Sequence, residues 1–387
     1  MSSREIYLDY AATAPLDSQV AAAMHECMTR EFGNPSSLHA AGRRARALVD
    51  AARASVAARV GAASDRIVFT SGATESNNLA LQGVLRRSRN RRVHLVTSRI
   101  EHKSVLDVAR ALESSGVEVT YVAATAGGSV DPERVVEAIG ADTQLVSIMH
   151  VNNETGVIQD VRAIGDACRA RGVLFHVDAA QSVGKLPLEL AAAPIDLCSL
   201  TAHKVCGPKG IGALYVAPRV TLAPQMHGGE QERGLRAGTL ATHQVVGMGK
   251  AYDLADPASE APHFAALRDR LWDELRAIEG ARSNGDRERS AAHVLNVTFP
   301  GVDGESLRFA LQDVCVSAGS ACAADSPEAS HVLTGMGLSD VLAGSSLRFS
   351  VGRFTTEAEV VTAAARVAAA VTRLRTLARS APPWCSA

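Results

Sequence analysis

Two residues that follow neighbouring predicted strands could support electron-withdrawing chemistry. Asp178 lies in the run VLFHVDAAQ, and Lys204 lies in TAHKVCGPKG, which follows the next strand. Pyridoxal phosphate needs a lysine for its Schiff base and a carboxylate that keeps its pyridine nitrogen protonated. A strand-end cap and a solvated loop lysine are the ordinary alternatives. Together with the segments below, the pair favours this cofactor.

The segment TSGATESNN, residues 70–78, predicts an anion site. It runs from a strand through a glycine turn into a helix, where free backbone amides can bind a phosphate. Ala73 and Thr74 are the predicted donors. Glu75 is explained equally well as a first-turn carboxylate that stabilises the helix through its dipole. The segment lacks the Walker and Rossmann glycine patterns, which disfavours a nucleotide site.

Three further polar residues follow predicted strands. His102, in SRIEHKSVLD, could stack on the cofactor ring and move protons near neutral pH, or be a surface histidine at a helix start. Asn153, in MHVNNETG, could bind the cofactor's phenolic oxygen or a substrate carboxylate, or cap a turn. Gln181 has the same two interpretations.

Arg348 and Cys322 predict a substrate-binding and a nucleophilic role. Arg348 lies in SSLRFS, among apolar neighbours, where a guanidinium can grip a carboxylate bidentately or form a structural salt bridge. Cys322 lies in the small-residue segment SAGSACAADSPEAS. A thiol there can be exposed, deprotonated and moved between partners, as a sulfur carrier requires. Cys206, close to Lys204, is the rival thiol in a fixed position.

Composition limits the class of protein. The 387 residues suggest two domains, and the net charge of −1 favours neither nucleic acid nor an anionic membrane as a partner. Seven dispersed cysteines without CxxC spacing argue against a disulfide framework and a zinc site, so we expect a reducing cytoplasm. The first residues do not resemble a secretory signal, and no apolar run reaches membrane-spanning length.

The elements that must position these residues alternate along the first two-thirds of the chain. Six β-branched runs predict strands, at 66–70, 93–98, 117–122, 143–151, 173–180 and 195–200. Amphipathic stretches between them predict helices, at 76–87, 105–114, 132–138 and 164–170. This alternation predicts an α/β fold with a mainly parallel sheet, helices on both faces, and a ligand site at the carboxyl ends of the strands.

From about Pro257 the pattern changes to that of a smaller α+β domain. A polar helix over 261–279 leads to the strand HVLNVTF, a helix near Glu305, the cysteine segment, the strand SSLRFSVG and a final helix. The predicted divisions are a large cofactor domain (14–256), a small domain (1–13 plus 257–380) with a cysteine loop (about 316–330), and a short flexible tail (381–387).

Ten segments resemble those of the group I cysteine desulfurases, the IscS/NifS type within the class V, fold-type I aminotransferase superfamily. They are YLDYAAT, FGNPSSLH, FTSGATESNN, EHKSVLD, MHVNNETGVIQD, HVDAAQSVGKLP, HKVCGPKGIGALY, GGEQERGLRAGT, SAGSACA and SSLRFSVGRFT. The resemblance implies a fold-type I pyridoxal-phosphate enzyme with a seven-stranded sheet. It also implies conversion of L-cysteine to L-alanine, with the sulfur passed as a Cys322 persulfide to a protein acceptor such as an iron–sulfur scaffold.

The resemblance further implies a role for each matched residue. Lys204 forms the Schiff base, Asp178 pairs with the pyridine nitrogen, and His102 stacks over the ring. Asn153 and Gln181 bond near the phenolic oxygen and the substrate. The phosphate side is lined by Ala73, Thr74, Thr201 and His203. Asn34 and Arg348 hold the substrate carboxylate, and Cys322 attacks the substrate sulfur. Thr239 reaches the phosphate of the neighbouring subunit's cofactor, which implies a homodimer. No metal is expected beyond a transient iron–sulfur ligand at Cys322.

Three departures from the family pattern limit what the resemblance implies, and the last of them leaves the acceptor open. TAHK replaces SGHK, so Thr201 must supply the phosphate-side hydroxyl; alanines stand at 318, 323 and 324; and the chain ends soon after PPW. A selenocysteine lyase, or a desulfurase dedicated to DNA phosphorothioation or tRNA thiolation, is the alternative within the same cofactor class. A non-enzymatic docking protein, with RRSRNRR (86–92) as its contact surface, is the alternative outside it.

Overall fold

The computed structural model describes residues 5–87, 92–318 and 329–380. The strands are β1 (Ile6–Tyr7), β2 (Ile67–Thr70), β3 (His94–Ser98), β4 (Glu118–Val122), β5 (Thr143–Met149), β6 (Leu174–Asp178), β7 (Leu197–Thr201), β8 (Gly212–Val216), β9 (Arg282–Ser283), β10 (Val294–Thr298), β11 (Val314–Cys315) and β12 (Ser346–Ser350). The helices are α1 (Ser18–Arg30), α2 (Ala40–Arg59), α3 (Ala73–Leu85), α4 (Lys103–Glu113), α5 (Pro132–Ala138), α6 (Val161–Ala170), α7 (Thr242–Leu254), α8 (Pro257–Leu275), α9 (Gly304–Ala310), α10 (His331–Gly335), α11 (Asp340–Gly344) and α12 (Glu357–Ser380).

A seven-stranded, mainly parallel sheet forms the larger part of the fold, as predicted. Its order is β2-β8-β7-β6-β5-β3-β4, and the five strands from β7 to β4 run parallel to their neighbours. The strand β8 runs antiparallel to both of its neighbours, β7 and β2, so β2 has the same direction as the five parallel strands. The segment between β7 and β8 is too short for the helical crossover that a parallel pair needs, which explains the reversal. The sequence pattern did not predict β8 as a strand.

The helices α3 and α4, which follow β2 and β3 of this sheet, begin earlier than predicted. The helix α3 starts at Ala73, directly after Gly72, and packs across β5, β6, β7 and β8. The helix α4 starts at Lys103 because the His102 side chain caps it by accepting the Ser104 backbone N–H. Both helix starts therefore lie at the carboxyl ends of the strands, where a ligand site is expected.

The buried apolar side chains form two main clusters. The first surrounds the seven-stranded sheet and includes Val332 and Leu333 of α10. The second surrounds a three-stranded antiparallel sheet, β12-β10-β9, with α8, α9 and α12 packed against it. The residues Ile6 and Leu8 belong to this second cluster, so the amino-terminal strand packs with the carboxyl-terminal third of the chain. The domain boundary near 256 stays a prediction.

Over the ranges that the structure describes, no helix combines the length and the apolar character needed to cross a bilayer.

Candidate active site

A cleft of about 420 Å³ opens at the carboxyl ends of β5, β6 and β7. Ten of the residues predicted for the site line this one cleft, although they come from distant parts of the sequence. They are Ala73, Thr74, His102, Asn153, Asp178, Gln181, Thr201, His203, Lys204 and Arg348. The structure therefore brings together most of the residues that the sequence predicted.

The Asp178 carboxylate lies at the end of β6 and is only 7% exposed. Its Oδ2 accepts a hydrogen bond from Asn77 Nδ2 at 2.8 Å, and its Oδ1 accepts one from the Ala180 backbone N–H at 2.9 Å. Each carboxylate oxygen has more than one lone pair, so both retain capacity for a further donor. A protonated pyridine nitrogen is such a donor.

The start of α3 has the properties of a phosphate site. Gly72 has a φ of 154°, which residues with a side chain rarely adopt, and a Cβ placed there would meet nothing within 4 Å. The helix has no side-chain cap at this end, so its first amides remain available to an anion. The buried Thr201 Oγ1 has no hydrogen-bond partner within the described part of the chain. An open helix start beside an unsatisfied hydroxyl fits the phosphate of the predicted cofactor.

The His102 ring is held at Nδ1 by two contacts with Ser104. The Ser104 backbone N–H donates to Nδ1 at 3.1 Å, and Ser104 Oγ lies 2.8 Å from the same atom. Burial, and then repulsion by Lys204, lowers the pKa of His102 to about 4. The imidazole is therefore neutral near pH 7, which suits stacking on a cofactor ring better than accepting a proton.

Two amide side chains in the cleft have oxygens that accept no hydrogen bond from the described residues. Gln181 Nε2 donates to the Ala11 carbonyl at 2.8 Å, whereas its Oε1 lacks a partner among the residues described. The same holds for Oδ1 of the buried Asn153. Buried polar atoms are almost always hydrogen-bonded in native proteins, so these oxygens are best explained by a ligand or water.

Arg348 is almost fully buried, with 1% of its surface exposed. Its Nη2 donates to Asp9 Oδ1 at 2.8 Å, and its Nη1 donates to the Asn153 carbonyl at 2.8 Å. The salt bridge that competed with the carboxylate-binding interpretation is therefore present. Nε has no partner in the described structure, so the guanidinium keeps donor capacity toward the cleft.

Two predicted residues lie elsewhere, and a third lies outside the described residues. Asn34 and Thr239 line a separate surface depression of about 340 Å³ and do not line the cleft. Cys322 lies outside the described residues, as does Cys385. The rival thiol, Cys206, is buried beside Lys204 with a φ of 56°, and burial raises its pKa. A buried thiol with a raised pKa is a poor nucleophile.

Sequence reasoning missed two ionisable residues near the cleft. Glu101 is fully buried, accepts a hydrogen bond from Ser98 Oγ at 2.6 Å, and has a pKa raised to about 8 by burial. Lys185 is buried, and burial followed by repulsion from Lys204 lowers its pKa to about 7. Both lie inside segments that carried the family resemblance, EHKSVLD and HVDAAQSVGKLP, and that position was the available signal.

Comparison with known proteins identifies the family. The aminotransferase class-V family model matches residues 6–362. The chain belongs to the aminotransferase class-V family. This family uses pyridoxal phosphate, in agreement with the cofactor prediction.

Relatives within the class-V family confirm the resemblance to cysteine desulfurases. The chain is 52% identical to cysteine desulfurase IscS of Proteus mirabilis over 98% of its own length and 95% of the relative's. A solved NifS-like protein superposes with a TM-score of 0.90 at 34% identity, over 96% of this chain and 100% of the other. A structure of SspA in complex with cysteine superposes with a TM-score of 0.82 at 39% identity, over 90% and 99%.

Proposed function

We propose that this chain is a pyridoxal-phosphate-dependent cysteine desulfurase that converts L-cysteine to L-alanine and carries the sulfur as a persulfide on Cys322. The observation that supports it most is the cleft itself. A buried carboxylate at Asp178, Lys204, and an unsatisfied hydroxyl beside an open helix start all face one space. Those groups match the ring nitrogen, the aldehyde carbon and the phosphate of this cofactor.

Residues at the carboxyl ends of the strands of the seven-stranded sheet, and in the segments that follow them, would hold the cofactor. The Thr201 hydroxyl and the first amides of α3 would bind its phosphate, Asp178 would face its ring nitrogen, and His102 would stack on the ring. Gln181 and Asn153 would complete the contacts near its phenolic oxygen. When bound, the cofactor draws electrons from the substrate's α-carbon and so weakens the bond between Cβ and sulfur.

The substrate would be held and deprotonated by two residues of this chain. Arg348 would bind the α-carboxylate through the donor capacity that its contacts with Asp9 and Asn153 leave free. The Lys204 amine would remove the α-proton and later return a proton to the product. A guanidinium buried to this degree is a strong carboxylate ligand because little water competes for it.

Cys322 would then take the sulfur. The balance is one cysteine thiol plus the Cys322 thiol going to alanine plus a Cys322 persulfide, so no external oxidant or reductant is needed. Splitting sulfur release from sulfur delivery by a covalent intermediate replaces one difficult step with two easier ones. We infer that a protein acceptor, in iron–sulfur cluster assembly, collects the sulfur, and that the reaction takes place in a reducing cytoplasm.

A homodimer is part of the proposal. The depression that holds Asn34 and Thr239 lies beside Phe32, which is 83% exposed, and near Leu38, which is 89% exposed. Large apolar side chains exposed next to a concave surface are typical of an interface. If a second copy covers this face, Thr239 of one copy would lie toward the cleft of the other copy, as the family resemblance implies.

Alanine release from L-cysteine tests the proposed function. With excess dithiothreitol, which reduces the persulfide and releases its outer sulfur as sulfide, the cofactor-loaded protein should form alanine and sulfide in equal amounts. Lys204→Ala should abolish both because the Schiff base and the proton carrier are lost together. Lys250→Ala, on α7 and outside the cleft, is the matched control and should keep full activity. Absence of alanine from the loaded wild-type protein would refute the proposal.

A further inference from the structure

Four side chains at the base of the cleft form one continuous hydrogen-bonded chain. Asn77 of α3 donates from Nδ2 to Asp178 Oδ2 at 2.8 Å and to Ser104 Oγ at 2.8 Å. Ser104 Oγ lies 2.8 Å from His102 Nδ1. Asn77 and Ser104 are buried, with 0% and 8% of their surfaces exposed. The chain therefore connects α3, α4 and the end of β6 away from bulk water.

The direction of each hydrogen bond follows from the donors available. The amide nitrogen of Asn77 has two protons, and Asp178 and the Ser104 hydroxyl oxygen take one each. Ser104 Oγ thus accepts from Asn77 and has its own proton free to donate to His102 Nδ1. The Ser104 backbone N–H also donates to Nδ1. Two donors on one ring nitrogen require that nitrogen to be unprotonated, so the proton of the neutral ring is on Nε2.

The amide orientation of Asn77 depends on this chain alone. Its Oδ1 is buried and has no hydrogen-bond partner in the ranges that the structure covers. Only the two bonds from Nδ2 therefore fix the amide plane. Loss of the Ser104 hydroxyl would leave one buried N–H without an acceptor, which is costly in a protein interior.

We propose that Asn77 and Ser104 are positioning residues that hold Asp178 and His102 in a fixed relation and keep the imidazole proton on Nε2. Their effect on catalysis rests on the proposed function, in which Asp178 faces the ring nitrogen of the cofactor and His102 stacks on the ring. The geometry of the chain itself does not rest on it. Burial and the positive charge of Lys204 act in the same direction, since both keep the His102 ring neutral.

The first test is the state of the His102 ring in protein labelled with ¹⁵N-histidine, without any turnover. In the wild type, Nδ1 should resonate as an unprotonated, hydrogen-bonded nitrogen and Nε2 as a protonated one. Ser104→Ala should shift the Nδ1 resonance toward that of a weakly bonded nitrogen, and Ser104→Thr, which retains a hydroxyl, should restore it. An unchanged Nδ1 resonance in Ser104→Ala would overturn the proposal.

A matched control removes an equivalent hydroxyl nearby. Ser147 Oγ lies 2.8 Å from His176 Nδ1, and both side chains are fully buried. Ser147→Ala should therefore shift the His176 resonance and leave that of His102 in place. A His102 shift of equal size in this variant would mean that any buried cavity disturbs the ring, and would also overturn the proposal.

The second test asks whether the effect passes through Ser104. Asn77→Ala should shift the His102 resonances in the wild-type background but not when Ser104 is already alanine. Equal shifts in both backgrounds would contradict a chain that runs through the hydroxyl. If the loaded protein is a desulfurase, Ser104→Ala should lower kcat roughly five- to tenfold with little change in KM. Ring shifts without any desulfurase activity would instead refute the proposed function and leave the positioning chain standing.

Discussion

The two walls of the cleft differ in how completely their polar groups are satisfied. The wall built on the seven-stranded sheet has three buried polar atoms without partners in the described chain, namely Thr201 Oγ1, Asn153 Oδ1 and Gln181 Oε1. On the opposite wall, two of the three donor nitrogens of Arg348 are already bonded, one to Asp9 and one to a carbonyl, and Nε is without a partner in the described chain. The first wall, which we call the sheet wall, has open positions for a ligand. The second, which we call the paired wall, is largely hydrogen-bonded within the chain.

This difference suggests how the two ligands bind. A cofactor that meets unsatisfied groups on a rigid sheet edge is bound without any existing contact being broken. In the proposed function, the substrate carboxylate would share Arg348 with Asp9, so its affinity would depend on how strongly that ion pair holds the guanidinium. Asp9 also accepts a hydrogen bond from Ser317 Oγ at 2.9 Å, and Ser317 stands at the start of the predicted cysteine loop. Asp9 thus links Arg348, the proposed carboxylate ligand, to the base of that predicted loop.

The largest effect on stability is expected at the paired wall. Asp9→Ala should lower the free energy of unfolding by about 3 kcal/mol, because it leaves the buried Arg348 charge without its partner. Chemical denaturation of the protein without cofactor measures this. Asp107→Ala, which removes an exposed carboxylate paired with Arg110, is the control and should change stability by less than about 1 kcal/mol. Equal losses in the two variants would remove the contrast between the walls.

Acid should lower the free energy of unfolding through two histidines, one in β6 and one directly after β5. Burial lowers the pKa of His150 and of His176 to about 4, below the value of about 6.5 in an unfolded chain. The unfolded state therefore binds more protons, so stability is complete above pH 6.5 and is lost as the pH falls toward 4. Each histidine should contribute about 2 kcal/mol of loss between pH 7 and pH 5.

Denaturation at the two pH values tests this in His176→Gln, which should show a smaller loss than the wild type. His227→Gln is the control, because His227 is exposed and should leave the difference unchanged. A loss of the same size in all three proteins would show that other groups control acid sensitivity.

The smallest effect is expected at the unsatisfied hydroxyl of the sheet wall. Thr201→Val should raise the stability of the cofactor-free protein by about 1 kcal/mol, because it removes a buried polar atom that has no partner. The same change should weaken cofactor binding roughly tenfold, because the phosphate loses one donor. Thermal melts with and without pyridoxal phosphate separate these opposite signs. A variant that is destabilised in both states would contradict the distinction between the walls.

The sequence predicts the sheet wall well and the paired wall poorly. Asp178, His102 and Thr201 each follow a strongly periodic strand, and the rule that ligands bind at the carboxyl ends of strands is enough to place them together. Asp9 and Arg348 are separated by almost the whole chain, and no local pattern links them. The choice between salt bridge and carboxylate ligand therefore depends on the folded arrangement.

The sequence patterns also did not predict the side-chain hydrogen bonds that begin α4 and that connect the residues of the site. A histidine is an uncommon helix cap, so the pattern predicts the start of α4 at residue 105 and not at Lys103. Asn77 and Ser104 resemble ordinary polar residues in the first turns of helices. Their importance lies in three hydrogen bonds whose partners only the packed fold brings within reach. The strand β8 was missed because it follows a glycine-rich loop with no intervening helix.

Mapping of the persulfide tests whether Cys322 is the residue that carries the sulfur. The cofactor-loaded protein is incubated with L-cysteine, its thiols are trapped, and every cysteine-containing peptide is analysed by mass spectrometry. We expect one added sulfur on the peptide that contains Cys322, none on that of the buried Cys206, and none on either in Lys204→Ala. Added sulfur on Cys206 with an unmodified Cys322, or undiminished sulfur transfer in Cys322→Ala, would contradict it.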